Sequence, residues 1–390
     1  MAVQPAATAP FDTGHLDRLM DERGLDVILA TSKHNVQYLL GGYRFFMFDY
    51  MDATGLSRYL PILVYPKGRP DLAAYIGNPN EDHEKELGRF WTSHLDLRAR
   101  GSVDAMRFCL DHIAAAGFPS ASIGIESGFL PADAAELLKS AYPHAHIIDC
   151  VEVLESLRAV KSATELDHLR RASEGVVEAM LATFASIEPG QTKHEVVERL
   201  RRQQVGRGLS FEYCLITAGT SLNRAPSDQR LEEGDIVSLD SGGNWRGYIG
   251  DLCRMGVIGE PSLELEDALA SIDAIQQAAR GPIRHGVLGE EIFTAVAPFM
   301  AKPRAGKFSF VAHGMGLIPH EAPRLLADGP IPYPAPHRSQ PLEAGMVLSI
   351  ETTWQHPRLG FIKLEDTVAV TRDGHVAFGD SGRGWDRIAR

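Results

Sequence analysis

Cysteine is scarce in this chain: four in 390 residues, Cys109, Cys150, Cys214 and Cys253, widely scattered and with no CxxC pair. That excludes a disulfide framework and a thiolate zinc site, and it fits a reducing, cytoplasmic compartment. Long apolar runs are missing too, so no segment reaches the uninterrupted length of a membrane span. The opening residues, MAVQPAATAPFDTGH, lack a basic stretch followed by an apolar one, so no secretory leader is expected. Basic charge is in deficit, with 39 Lys and Arg against 51 Asp and Glu and a net charge of −12, which disfavours nucleic acid or an anionic membrane as partner. Low-complexity and charge-block segments are absent. What remains is an ordinary globular composition, 44% hydrophobic, in a chain long enough for two domains and a large core.

Residues 13–150 alternate between helix and strand. HLDRLMDERG is amphipathic, DVILA and PILVY read as buried strands, and SVDAMRFCLDHIAAAG as a helix. SIGIES, PADAAELLKSAY and HIIDC then give strand, helix and strand. This predicts a compact α/β domain. From VEVLESLRAVKSATELDHLRRA the rhythm changes: Ser162 with Glu165 forms a capping box, followed by Leu166, Leu169, Val176, Val177, Met180 and Phe184 at helical spacing. Thr192 and Glu195 open a second helix, and more are expected at 263–280 and 289–301. Between them come strand pairs, so helices arrive in blocks and strands in hairpins, an α+β pattern. The expected division is 1–155 and 156–390, with the change of rhythm falling at roughly 152–160.

The segment GDIVSLDSGGNWRGYIGDLCR carries the strongest chemical signal. IVSLD and YIGDLCRMGV read as paired strands, and a loop centred on Trp245 and Arg246 would set Asp240 directly opposite Asp251. Opposed like charges destabilise a hairpin, and a divalent cation would compensate them. Glu351 closes the apolar run MVLSIE and Glu365 lies in GFIKLED, so these two also face each other across a hairpin, around TTWQHPRLG. His313 ends FSFVAH, just before glycines that let the backbone approach a neighbour closely. Singly, each residue has a bland reading as turn former, edge charge or core histidine. Jointly, five such residues on apolar strands of one domain point to metal. Oxygen-rich ligation with one imidazole suits Mn²⁺, Fe²⁺, Co²⁺ or Zn²⁺, and four carboxylates exceed one tetrahedral zinc but suit two bridged metals.

These residues resemble the pita-bread metallopeptidases: methionine aminopeptidase, aminopeptidase P, prolidase and the metal-free creatinase. GDIVSLDSGGNWRGYIGDLCR looks like the family's paired-aspartate hairpin, VAHGMGLIPHEAP its GHGIG…HE segment, and GMVLSIETT…GFIKLEDTV its closing glutamate strands. LRAVKSATELDHLRRA is similar to the connecting helix of the prolidase branch. The resemblance implies a C-terminal pita-bread domain behind an N-terminal creatinase-type, ribonuclease H-like α/β domain. It further implies that Asp240 chelates a first metal, that Asp251 and Glu365 bridge two, and that His313 and Glu351 complete the second. Mn²⁺ or Co²⁺ would be the foremost ions, with Fe²⁺ or Zn²⁺ also suited. Hydroxide would attack a polarised carbonyl, Glu351 would shuttle the proton, and His320 would hydrogen-bond the substrate or tetrahedral intermediate. A homodimer is the expected assembly.

The departures from the pattern concern the substrate. Asn223 falls where these peptidases usually carry a substrate-contacting histidine, and an amide cannot relay protons. Cys253 replaces a threonine, Thr352-Thr353 replace a Pro-Gly, and Lys363 stands where an arginine often precedes the last glutamate. The aromatic run GGYRFFMFDYMDATGLSRY, with Tyr43, Phe45, Phe46, Phe48 and Tyr50, is either core or the lining of a substrate loop in which Arg44 or Arg58 meets a carboxylate. Trp354, His356 and Arg358 are further specificity candidates. The first expectation is an Xaa-Pro dipeptidase-like hydrolase acting on a dipeptide or other small substrate. The alternatives are a non-peptide catabolic enzyme, ectoine-hydrolase-like or dimethylsulfoniopropionate-lyase-like, and a binding protein without catalysis.

Overall fold

The structure, a computed structural model, describes residues 8–50, 53, 55, 58–326 and 334–389. It divides into two compact units, Met1–Arg158 and Ala159–Arg390.

The first unit is built on a six-stranded sheet. Its strands are β1 (Val27–Ala30), β2 (Ile62–Pro66), β3 (Ala74–Ile76), β4 (His94–Asp96), β5 (Ser122–Ile125) and β6 (His146–Asp149). They lie in the order β4-β3-β2-β1-β5-β6, with β1 antiparallel to β2 and parallel to β5. Every residue of β1, β2 and β5 is buried, which explains the uninterrupted apolar runs VILA and ILVYP. Helices α1 (Thr13–Glu22), α2 (Lys33–Leu39), α4 (Ser102–Ala116), α5 (Ala132–Ala141) and α6 (Val151–Leu157) pack on the sheet, whereas the short α3 (Asp82–Glu86) buries no residue. The three-residue strands β3 and β4 are too short for a sequence pattern to reveal. The aromatic run divides between the two readings: Phe45 and Phe48 are core, whereas Phe46 and Tyr50 are exposed. Residues 51, 52, 54, 56 and 57 of that run lie outside the described residues.

The second unit opens with the two expected capped helices, α7 (Ala163–Phe184) and α8 (Lys193–Gly206). In both capping boxes the hydroxyl and the glutamate satisfy each other's backbone N–H groups. Helices α9 (Leu263–Arg280) and α10 (Glu290–Met300) follow at the expected places. The strands are β7 (Ser210–Ala218), β8 (Ile236–Trp245), β9 (Tyr248–Ile258), β10 (Lys307–Met315), β11 (Pro319–Glu321), β12 (Val347–His356) and β13 (Gly360–Val370). They form one curled sheet in the order β11-β10-β12-β13-β9-β8-β7, with β14 (His375–Phe378) on β13 and β15 (Trp385–Ile388) on β9.

Strand alternation sorts the side chains of this sheet. Val237, Leu239 and Leu252 pack with Val176, Met180 and Leu200 of α7 and α8, and Ile362 and Leu364 pack with Leu265, Leu269 and Ile272 of α9. Because neighbouring residues in a strand point to opposite faces, Asp240, Asp251, Lys363 and Glu365 are turned to the face away from those helices. The helices drive folding on one face and leave the other free for polar chemistry.

Candidate active site

The β8–β9 hairpin corrects one expectation. Its loop is Arg246-Gly247, one position later than anticipated, with φ of 54° and 96°. Two positive φ values are the mark of a type I′ turn. Asp240 therefore pairs with Cys253, and Asp251 with Gly242. The two aspartates are diagonal neighbours on one face instead of direct opposites. Glu351 and Glu365 do oppose each other directly, and Glu365 also pairs with Cys253. A single lateral row thus crosses four strands: Asp240, Cys253, Glu365, Glu351. His313 comes onto the same face from β10, where it pairs with Ser349, two residues before Glu351.

The side chains converge closely. His313 Nε2 lies 3.1 Å from Glu351 Oε1 and 3.6 Å from Glu365 Oε1. Donor atoms of Asp251, His313 and Glu365 all fall within 4.8 Å of one another, as do those of His313, His320 and Glu351. The His320 ring stacks on that of His313 with centroids 3.7 Å apart, and its backbone sits at φ 61°. A non-glycine residue held there signals a local constraint of the kind that gathers at functional sites. Lys363 Nζ reaches Asp240 Oδ2 at 2.6 Å, Glu351 Oε2 at 2.7 Å and Glu365 Oε2 at 2.8 Å.

Buried neighbours fix this arrangement. A Cβ on Gly316 would stand 1.9 Å from Glu321 Oε1, so only glycine lets the HGMG turn close over that carboxylate. Glu321 is in turn paired at 3.0 Å with Lys161, and both side chains are fully buried. Behind the sheet, Arg254 donates to the carbonyls of Cys253 and Glu365, each at 2.8 Å, tying β9 to β13 beneath the row.

The sequence profile of Metallopeptidase family M24 matches residues 167–372, and that of the Creatinase/Prolidase N-terminal domain matches residues 13–160. The chain belongs to metallopeptidase family M24. The metal-dependent hydrolase class and the two-part fold expected from the sequence follow from that membership. The Xaa-Pro dipeptidase of Pyrococcus horikoshii is 25% identical over 364 residues, covering 91% of this chain and 93% of that protein. A Mycobacterium bovis protein named probable dipeptidase PepE is 33% identical over 237 residues, which span 58% of this chain and 60% of its own length. The solved Xaa-Pro dipeptidase of Bacillus anthracis superposes with a TM-score of 0.80 at 22% identity, covering 96% of this chain and 99% of that one.

A divalent ion fits one side of this M24 centre. Asp251 Oδ1 is buried without a hydrogen-bond partner, and the donors around it are carboxylate and imidazole, the set such ions favour. Burial, reinforced by Glu365 and Asp240, pushes the Asp251 carboxyl well above the usual range. A cation at Oδ1 would reverse that push. The Asp240 side does not fit a second ion in the same way, because Lys363 and Arg224 already hold Asp240 Oδ2. Burial lifts Asp240 to about 6, against the pull of Lys363. Burial alone would also lower the imidazole of His313, but the carboxylates of Glu351 and Glu365, facing its ring N–H, push it up to about 10. For His320, burial and the neighbouring His313 bring the ring down to about 4, so it stays neutral at physiological pH.

Several expected contacts are not brought to this face. Asn223 is exposed, and its side-chain oxygen accepts from the backbone N–H of Ala225, closing its own turn. Trp354 lies on the opposite face of β12, packed near Phe308 and donating to the carbonyl of Ala305 at 2.7 Å. His356 accepts from backbone N–H groups of the hairpin loop, and Arg358 pairs with Glu264. Arg44 pairs with Asp49 and with Gln37 inside the first unit. Three site residues escaped the sequence reading: Arg224 on Asp240, Ser349 donating to Glu365 Oε1 at 2.8 Å, and Tyr213 hydrogen-bonded to Asp251. Arg224 directly follows Asn223, so the position singled out from the sequence lies one residue beyond the cation that makes the contact.

Proposed function

We propose that this M24 enzyme is a metal-dependent Xaa-Pro dipeptidase-like hydrolase that cleaves an amide bond in a small substrate. The observation that supports it most is the convergence of Asp251, His313, Glu351 and Glu365 on one sheet face, with His320 stacked beside them. These residues would hold the metal, Mn²⁺ or Co²⁺ foremost. A divalent ion there supplies Lewis acidity and makes hydroxide available at neutral pH. Neutral His320 presents an N–H to the oxygen on which charge develops, a contribution worth most where water is excluded. Glu351 holds its proton acceptor oxygens between His313 and Lys363; burial would raise its carboxyl, but those two cations keep it well below the usual range. It is therefore ionised at physiological pH, the form that ligates a cation, and it is our candidate for carrying the proton to the leaving nitrogen. Arg224, part exposed and paired with Asp240, would be the group to meet a substrate carboxylate. A cytoplasmic homodimer completes this reading, and the four buried thiols agree with a reducing compartment.

Asn223 favours a second reading on the same metal chemistry. An exposed amide engaged in its own turn supplies neither charge nor proton transfer where prolidase-like enzymes use histidine, so a non-peptide amide would suit this pocket. The test is turnover by enzyme loaded with Mn²⁺ or Co²⁺ on a panel of Xaa-Pro dipeptides beside ectoine and creatine. Cleavage of the dipeptides is expected. Cleavage of a non-peptide with inert dipeptides would replace the first reading by the second, and absence of both metal and turnover would reject the two together.

A further inference from the structure

Lys363 is buried, with a side chain only 4% exposed, at the centre of the carboxylate row. An ammonium has three N–H donors and no acceptor. It donates to Asp240 Oδ2 at 2.6 Å and lies within ion-pair distance of Glu351 Oε2 at 2.7 Å and Glu365 Oε2 at 2.8 Å. The ammonium is thus ion-paired with three carboxylates at once. Arg224 adds a second positive group on the same Asp240 oxygen.

We propose that the Lys363 ammonium takes the place of one of the two metals expected in this centre, so that the chain holds a single divalent ion on Asp251, His313, Glu351 and Glu365. The inference rests on the metal-hydrolase reading above and concerns the number of ions and the partner of Asp240.

Three observations carry it. A metal bonds a carboxylate oxygen at about 2.0–2.2 Å, so an ion using the same three oxygens would fall on or beside Nζ, and the two cannot coexist. The other oxygens of the two glutamates are turned the opposite way, with both Oε1 atoms toward His313 Nε2 at 3.1 and 3.6 Å. Asp251 with its partnerless Oδ1, His313 and Glu365 form one donor group, and Glu351 joins it through the shared His313. Charge gives the same count. Asp240, Asp251, Glu351 and Glu365 bring four negative charges, Lys363 and Arg224 return two, and one divalent ion balances the rest. A second ion would raise that sum to +2 before any bound hydroxide, an excess that a low-dielectric interior penalises.

Metal content and electron paramagnetic resonance of the Mn²⁺-loaded full chain test this directly. The wild type is expected to hold one Mn²⁺ per chain and to show the hyperfine-split spectrum of an isolated ion. Two ions per chain with an exchange-coupled spectrum, in an enzyme that turns over substrate, would overturn the inference and leave the functional reading standing. Absence of both metal and turnover would overturn both. Asp240→Asn should keep the single Mn²⁺, because Asp240 serves the lysine, and a drop from two ions to one would contradict that. Lys363→Met should admit a second Mn²⁺ and produce the coupled spectrum; a folded variant that still holds only one would overturn the inference. If that variant fails to fold, the wild-type and Asp240→Asn stoichiometries still decide.

Discussion

At the scale of single residues, two buried charges set the geometry of the catalytic face from outside it. Lys161 and Glu321 form an ion pair with both side chains out of water, and Glu321 fills the space that Gly316 leaves open. Breaking such a pair strands a charge in a low dielectric. Lys161→Met is therefore expected to cost about 3–5 kcal/mol, read as a lowered urea midpoint. A variant within about 1 kcal/mol of wild type would show that the pair does not brace the turn. Asp366 gives the pH-dependent case. Burial would raise its carboxyl, but Arg254, Arg383 and Arg280 outweigh burial and hold it at about 2. Because the folded value lies below the unfolded one of about 3.9, the stabilisation is present above roughly pH 4 and lost as pH falls toward 2. That loss should be on the order of 2 kcal/mol, and Asp366→Asn should flatten this part of the stability curve.

At the scale of elements, the β8–β9 turn decides which side chains share a face. Arg246 occupies a left-handed conformation at φ 54°, where a Cβ costs roughly 1–2 kcal/mol and asparagine is better tolerated. Arg246→Asn should raise the melting temperature while leaving the register intact, and a lowered one would mean that contacts of the arginine outweigh its backbone strain. The same turn shows how far the sequence could be read. Apolar runs beside turn-forming residues identified β8, β9, β12 and β13 and put their acidic residues on strands, and capping boxes located the starts of α7 and α8. The pairing register was not legible to one residue. It depends on which pair in Asn-Trp-Arg-Gly takes positive φ, and Arg246 is an unfavourable type for that role. Strand parity also explains Trp354. The sequence set it in the loop between the glutamates, whereas the strand runs on to His356 and turns Trp354 to the face opposite Glu351.

At the scale of the whole molecule, family membership was legible because it rests on ordered motifs spread over most of the chain. The partners of Asp240 were not, since Lys363 and Arg224 lie 123 and 16 residues from it in sequence and meet it only through the curl of the sheet. An ion that binds the folded site and not the unfolded chain adds stability through mass action. At about a hundredfold excess over its dissociation constant, Mn²⁺ should add about 2.7 kcal/mol, seen as a raised melting temperature that chelation reverses. Asp251→Asn should abolish the increment. The most direct measurement of the account is turnover of an Xaa-Pro dipeptide by enzyme stripped of metal and then reloaded with Mn²⁺. The account predicts that activity disappears on stripping, returns on reloading, and does not return in Asp251→Asn; dipeptide cleavage that persists in the stripped, folded enzyme would contradict it.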